Sequence, residues 1–174
     1  VRPHTLVAGI GNIFLGDDGF GCEVARRLSG SGPPEGVRVV DYGIRGMHLA
    51  YDLLDGWDLL ILVDALPDRG APGRLEIIEI CPEHLGAGDL DAHGMSPVAV
   101  LSSLGSLGGH LPPTILVGVQ VADTGDRIGL GPQVEAAVPA AVDAIRHLLQ
   151  VPQVSRVHVV ETSGTSVTPV AVVR

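Results

Sequence analysis

Apolar runs punctuated by glycine and proline dominate the chain. Those at residues 5–9, 37–41, 59–64, 74–80 and 114–120 predict β-strands. Leu59-Leu60-Ile61-Leu62-Val63 has no polar alternation, so both of its faces must be covered. The intervening segments 19–28, 45–54 and 96–107 carry helical spacing, and a last helix is expected from Pro132 to Gln150. There Val134, Ala137, Val138, Ala141, Val142, Ile145, Leu148 and Leu149 trace one apolar face. Pro132 suits a first turn, whereas Pro139 is expected to kink or divide the helix. Strands alternating with helices imply an α/β fold, a three-layer α/β/α sandwich around a mostly parallel, twisted sheet of about five strands. The strand at 74–80 follows its predecessor after a short turn and is the candidate antiparallel member. Residues 1–150 are read as one domain. Residues 151–174, rich in Val, Ser and Thr and without helical period, form a tail of unassigned role.

Composition narrows the class. The 174 residues are 45% apolar, ample for one core. Twenty acidic residues against 11 Lys plus Arg give a charge of −9, which disfavours a phosphate backbone and hence nucleic acid as a partner. No apolar stretch is long enough to span a membrane, and the chain runs directly into its first strand, so no signal peptide is expected. Cys22 and Cys81 form neither a CxxC pair nor a disulfide framework, which fits reduced thiols and a cytoplasmic location. Cys22 is expected in the core and Cys81 in an inert loop.

Ligands of open α/β sheets collect beyond the C-terminal strand ends. That rule gathers Asp17 and Asp18 after the first strand, Asp41 and Asp64 at the ends of the second and third, His84 and His93 in the loop after the fourth, and Gln120. His4, His110 and His147 fall toward the opposite rim. Gly9-Ile10-Gly11-Asn12 suggests a dinucleotide loop, but Phe14 occupies the last glycine position of that motif. Asp17 and Asp18 also stand where a helix N-terminus would receive pyrophosphate, and like charge there favours a cation instead. A single aspartate would ordinarily cap the helix, and the second is then left over. Asp64, closing an apolar strand, must be solvated, hydrogen-bonded or cation-bound. Asp18, Asp64 and His93 together offer two carboxylates and an imidazole, a set suited to a borderline divalent ion with positions left open. Taken singly, each has an ordinary structural reading as cap, strand-end carboxylate or solvated loop histidine.

The segment Leu6-Val7-Ala8-Gly9-Ile10-Gly11-Asn12-Ile13-Phe14-Leu15-Gly16-Asp17-Asp18-Gly19-Phe20-Gly21 closely resembles the signature of the nickel–iron hydrogenase maturation endopeptidases. The likeness continues through Asp41-Tyr42-Gly43-Ile44-Arg45-Gly46, Val63-Asp64-Ala65, His93-Gly94-Met95-Ser96, Gly118-Val119-Gln120 and Gly129-Leu130-Gly131-Pro132, in order over residues 5–150. The resemblance implies a monomeric, cytoplasmic enzyme that removes a short C-terminal peptide from the hydrogenase large-subunit precursor once nickel is in place. It assigns metal binding, and with it catalysis, to Asp18, Asp64 and His93. Nickel is then carried by the precursor. Many relatives have Asp-Gly-Gly-Thr at the second strand, where this chain has Asp41-Tyr42-Gly43-Ile44-Arg45. Arg45, at a helix start, is a candidate partner for a precursor carboxylate or an ordinary surface arginine.

On this reading the three side chains complete the coordination of the precursor's nickel, which anchors the tail and can serve as a Lewis acid. A proton-sharing dyad of Asp18 and Asp64 is the mechanistic rival, and a metal between them argues against it. The general base is left open. A nickel-sensing or chaperoning module with the same ligands is the alternative function, and a flavodoxin-like small-molecule binder is a weaker one.

Overall fold

The computed structural model describes residues 4–80, 97–150, 159–161 and 168–170. Its elements in chain order are β1 (Thr5–Ile10), α1 (Phe20–Gly30), β2 (Val37–Gly43), α2 (Gly46–Leu53), β3 (Leu59–Leu66), β4 (Leu75–Ile80), α3 (Pro97–Leu104), β5 (Thr114–Gln120) and α4 (Pro132–Gln150). A 3-10 turn, Gly16–Gly19, leads into α1, and a second, Gly105–Leu107, follows α3. Two short strands, β6 (Val159–Glu161) and β7 (Thr168–Val170), pair antiparallel with each other.

The main sheet has the order β2-β1-β3-β5-β4. All its pairings are parallel except β4 with β5. The antiparallel member expected at 74–80 is β4, and its partner is β5, which lies between it and β3. Strand alternation divides the core. Val7, Leu59, Ile61, Val63, Val117 and Val119 face α1 and α4, whereas Leu6, Ala8, Leu60, Leu62 and Leu116 face α2 and α3. Helices thus cover both faces, as the unbroken apolar strands require. Helix α4 is not divided at Pro139. Proline removes the hydrogen bond that would reach the Glu135 carbonyl, but Pro139 lies on the exposed face, where water can replace it.

From β1 the chain goes through α1 to β2 on one side and later returns to β3 on the other. The switch point therefore lies between the C-terminal ends of β1 and β3, where open α/β sheets form a crevice. Gly9 is level with Val63 in the β1–β3 register, so the residues after each strand meet there.

Candidate active site

The start of α1 rests almost directly on strand backbone at this switch point. A Cβ on Gly21 would lie 2.2 Å from the carbonyl oxygens of Ile10 and Val63, and one on Gly9 would lie 2.3 Å from that of Gly21. Glycine at these positions is thus a packing requirement. It brings the turn carrying Asp17 and Asp18 down against the end of β3.

The two aspartates divide their labour, and neither caps α1. Asp17 has no exposed surface. Its Oδ2 accepts the N–H groups of Ala122 and Asp123, both at 3.0 Å, and its Oδ1 accepts that of Gly131 at 2.6 Å. Arg127 Nη2 adds a contact at 3.5 Å. Asp17 therefore ties the β1–α1 turn to the β5–α4 loop, more than a hundred residues away in sequence. Three backbone bonds support the same junction: Gly16 N–H to Arg127 O, Asp17 N–H to Asp123 O and Arg127 N–H to Phe14 O. The helix-capping role expected for one of the pair is replaced by this knot.

Asp18 is partly buried, and its Oδ2 accepts the Asn12 N–H at 2.8 Å. Asp64 lies within β3 rather than at its end, paired with Gly118, and its Oδ1 accepts the Ala65 N–H at 2.8 Å. Among the described residues, the second oxygen of each carboxylate accepts no hydrogen bond. Burial pushes the Asp64 carboxyl up to about 8; the negative charge of Asp18 adds to this, and the Ala65 N–H opposes it. At neutral pH Asp64 therefore holds a proton, which an arriving cation would displace.

Cys22 is buried as expected, yet its thiol also borders this crevice. Its Sγ lies 3.6 Å from the Gly11 carbonyl oxygen. Burial, a hydrogen bond with Asp41 and the charges of Asp41, Asp18 and Asp64 push the thiol up to about 12. Such a group stays protonated and is no nucleophile. Its closeness to three carboxylates was hidden in the sequence, where the only available cue was its helical spacing from Asp18.

The other rim candidates are spent locally. Gln120 is buried; its Oε1 accepts the N–H groups of Arg69 and Ala71, and its Nε2 donates to Glu76, so it fixes the β3–β4 turn. Asp41 accepts the Gly43 N–H at 2.9 Å. Arg45 donates to the carbonyls of Tyr42 at 3.1 Å and Asp41 at 2.7 Å, bracing the turn into α2. His4 is at the opposite end of the sheet, where its N–H meets Asp58 and its ring faces Trp57. His93, with His84 and Cys81, lies outside the described residues. Among the described residues, no group of three His, Cys, Asp or Glu side chains is close enough to hold a metal ion.

Residues 22–148 match the family model for the hydrogenase maturation proteases. The chain belongs to the hydrogenase maturation protease family. The Hydrogenase 2 maturation protease of Escherichia coli is 33% identical over 146 residues, covering 82% of this chain and 88% of that one. A putative hydrogenase maturation protease of Methanocaldococcus jannaschii is 31% identical over 147 residues, covering 83% and 95%. The solved structure of the hydrogenase maturating endopeptidase HybD from E. coli superposes with a TM-score of 0.72 at 30% identity, covering 84% of this chain and 92% of that one. The chain is thus an enzyme of α/β fold. No described helix is long and apolar enough to cross a membrane.

Proposed function

We propose that this protease removes a short C-terminal peptide from a nickel–iron hydrogenase large-subunit precursor, and that it does so by engaging the nickel ion the precursor carries. Asp18 and Asp64 are the proposed contacts to that ion, with His93 as the third donor. The observation that carries the reading is the carboxylate pair at the switch point. Each aspartate is oriented by one backbone N–H, and each keeps a second oxygen without a partner among the described residues. Burial first, and the negative charge of Asp18 after it, keep a proton on Asp64. A divalent cation acts in the other direction, by stabilising both charges.

Selectivity follows from this balance. Without the precursor's metal, the crevice offers a neutral Asp64 and no metal charge to fix the scissile bond beside it. With it, Asp64 ionises, and the tail is fixed beside groups already oriented by the backbone. A water near the ion would then be the nucleophile: its oxygen bonds to the scissile carbonyl carbon, the C–N bond breaks, and a proton of that water passes to the leaving amine. Burial and the neighbouring carboxylates keep the Cys22 thiol protonated, which argues against a thiolate nucleophile.

The test is the intact mass of a large-subunit precursor from the same organism, incubated with the protease with and without nickel loading. Shortening confined to the nickel-loaded sample is expected. Equal shortening of both samples would remove the metal from the recognition step.

A further inference from the structure

An endopeptidase cuts within a chain, so its substrate leaves the site on both sides of the scissile bond and must lie against the neighbouring surface. One such surface is a groove of about 340 Å³ across the first turns of α1. Its near end is lined by Ile13, Gly16 and Gly19 from the turn that carries Asp18, and by Cys22 and Asp41, which border the carboxylate pair. Its opposite lip is Ile128 and Leu130, from the β5–α4 loop.

Three observations say what fits it. Ile13 is 48% exposed, the adjoining Phe14 60% and Ile128 76%, so large apolar side chains stand open to water beside the site. They stand there on rigid backbone, because Asp17 and the bonds around Arg127 knot their two loops together. The entropic cost of holding them exposed has therefore been met before any partner arrives. Finally, the charged residues at the groove's far end satisfy one another: Arg26 and Arg27 pair with Glu23, and Arg27 also pairs with Glu135. Apart from Asp41, the surface left unsatisfied is apolar.

We infer that this groove is the docking site for an extended apolar segment of the precursor polypeptide adjoining the scissile bond, gripped between Ile13 and Ile128. The inference rests on the proposed processing of a large-subunit precursor and names the surface that recognises it. A second exposed apolar stripe, Met47 and Tyr51 on α2 with Leu54 just after it, is the competing surface and serves as the control.

The experiment compares wild type, the Ile13→Ser/Ile128→Ser double variant and a Met47→Ser/Tyr51→Ser double variant on nickel-loaded precursor, with melting temperature and steady-state kinetics measured for each. Both pairs are exposed, so unchanged melting is expected. The groove variant should raise KM about 30-fold, because two apolar side chains no longer bury surface against the peptide, with kcat within about threefold of wild type. The α2 variant should leave KM near that of wild type. Cleavage by wild type with an unchanged KM in the groove variant would overturn the docking site alone. A raised KM in the α2 variant only would move docking to α2 and overturn it equally. No cleavage by wild type would remove the processing reading and the docking inference together.

Discussion

The adjacent aspartates of the β1–α1 turn should respond to the same substitution in opposite ways. Asp17→Asn replaces one carboxylate oxygen by an NH₂ group in a site with no solvent access. If the amide oxygen keeps the Ala122 and Asp123 N–H groups, the NH₂ faces the Gly131 N–H, donor against donor; the flipped amide forfeits two bonds instead of one. The cheaper arrangement leaves one buried backbone donor unsatisfied, at about 1–3 kcal/mol, and weakens the bonds made to a charged acceptor. A loss of about 2–4 kcal/mol is expected, which for a chain of this length lowers Tm by about 10 °C. Asp18→Asn, by contrast, can still accept the Asn12 N–H through its amide oxygen and should change stability by less than about 1 kcal/mol. Precursor cleavage should show the reverse order: retained by folded Asp17→Asn and lost in Asp18→Asn. Thermal and urea unfolding, with cleavage assayed well below each melting point, separate the two. An Asp17→Asn protein as stable as wild type, or an Asp18→Asn protein that cleaves normally, would refute this division of roles.

Other consequences follow from the same geometry. Asp64 binds its proton up to about pH 8 when folded but only in the ordinary carboxylate range when unfolded. Its contribution to stability is therefore fully present below the unfolded value and lost as pH rises through about 8. Asp64→Asn should abolish that alkaline decline in Tm, and parallel wild-type and variant profiles between about pH 5 and pH 9 would contradict it. For the same reason, binding of the nickel-loaded precursor should release a proton at about pH 7 but little at about pH 9, a difference readable as the buffer dependence of the calorimetric binding enthalpy. Gly21→Ala, whose new methyl would press on two strand carbonyls, should cost about 3 kcal/mol or more, whereas an alanine at exposed Gly30 should be close to neutral. Ile145→Ala, in the fully buried face of α4, should cost about 2–5 kcal/mol in urea unfolding.

Local pattern carried most of the architecture and little of the pairing. The apolar runs marked all five strands of the main sheet, and the spacing in residues 132–150 matched α4 to the residue. The short turn after β3 marked β4 as the antiparallel candidate, which it is, but its partner is β5, more than thirty residues further on, which no local signal specifies. The same limit governs the site. The pair Asp17-Asp18 stood out by charge, but which member is buried depends on a loop more than a hundred residues away. Glycines leave a trace of that junction in the sequence: a Cβ on Gly131 would lie 3.0 Å from Asp17 Oδ1, and one on Gly16 2.7 Å from the Asp123 carbonyl oxygen. Gln120 looked like a rim residue because it ends a strand; it is consumed by the turn its own sheet order creates. Asp64 was legible because a carboxylate in an apolar strand needs a reason. Cys22 was legible only as buried.

The proposed cleavage depends on the switch-point carboxylates. The direct measurement is the intact mass of nickel-loaded precursor after incubation with wild type and with Asp64→Asn, each shown folded by its thermal transition. Loss of a short C-terminal peptide with wild type and an unshortened precursor with folded Asp64→Asn is the expected result. Equal shortening by both proteins would place the chemistry elsewhere.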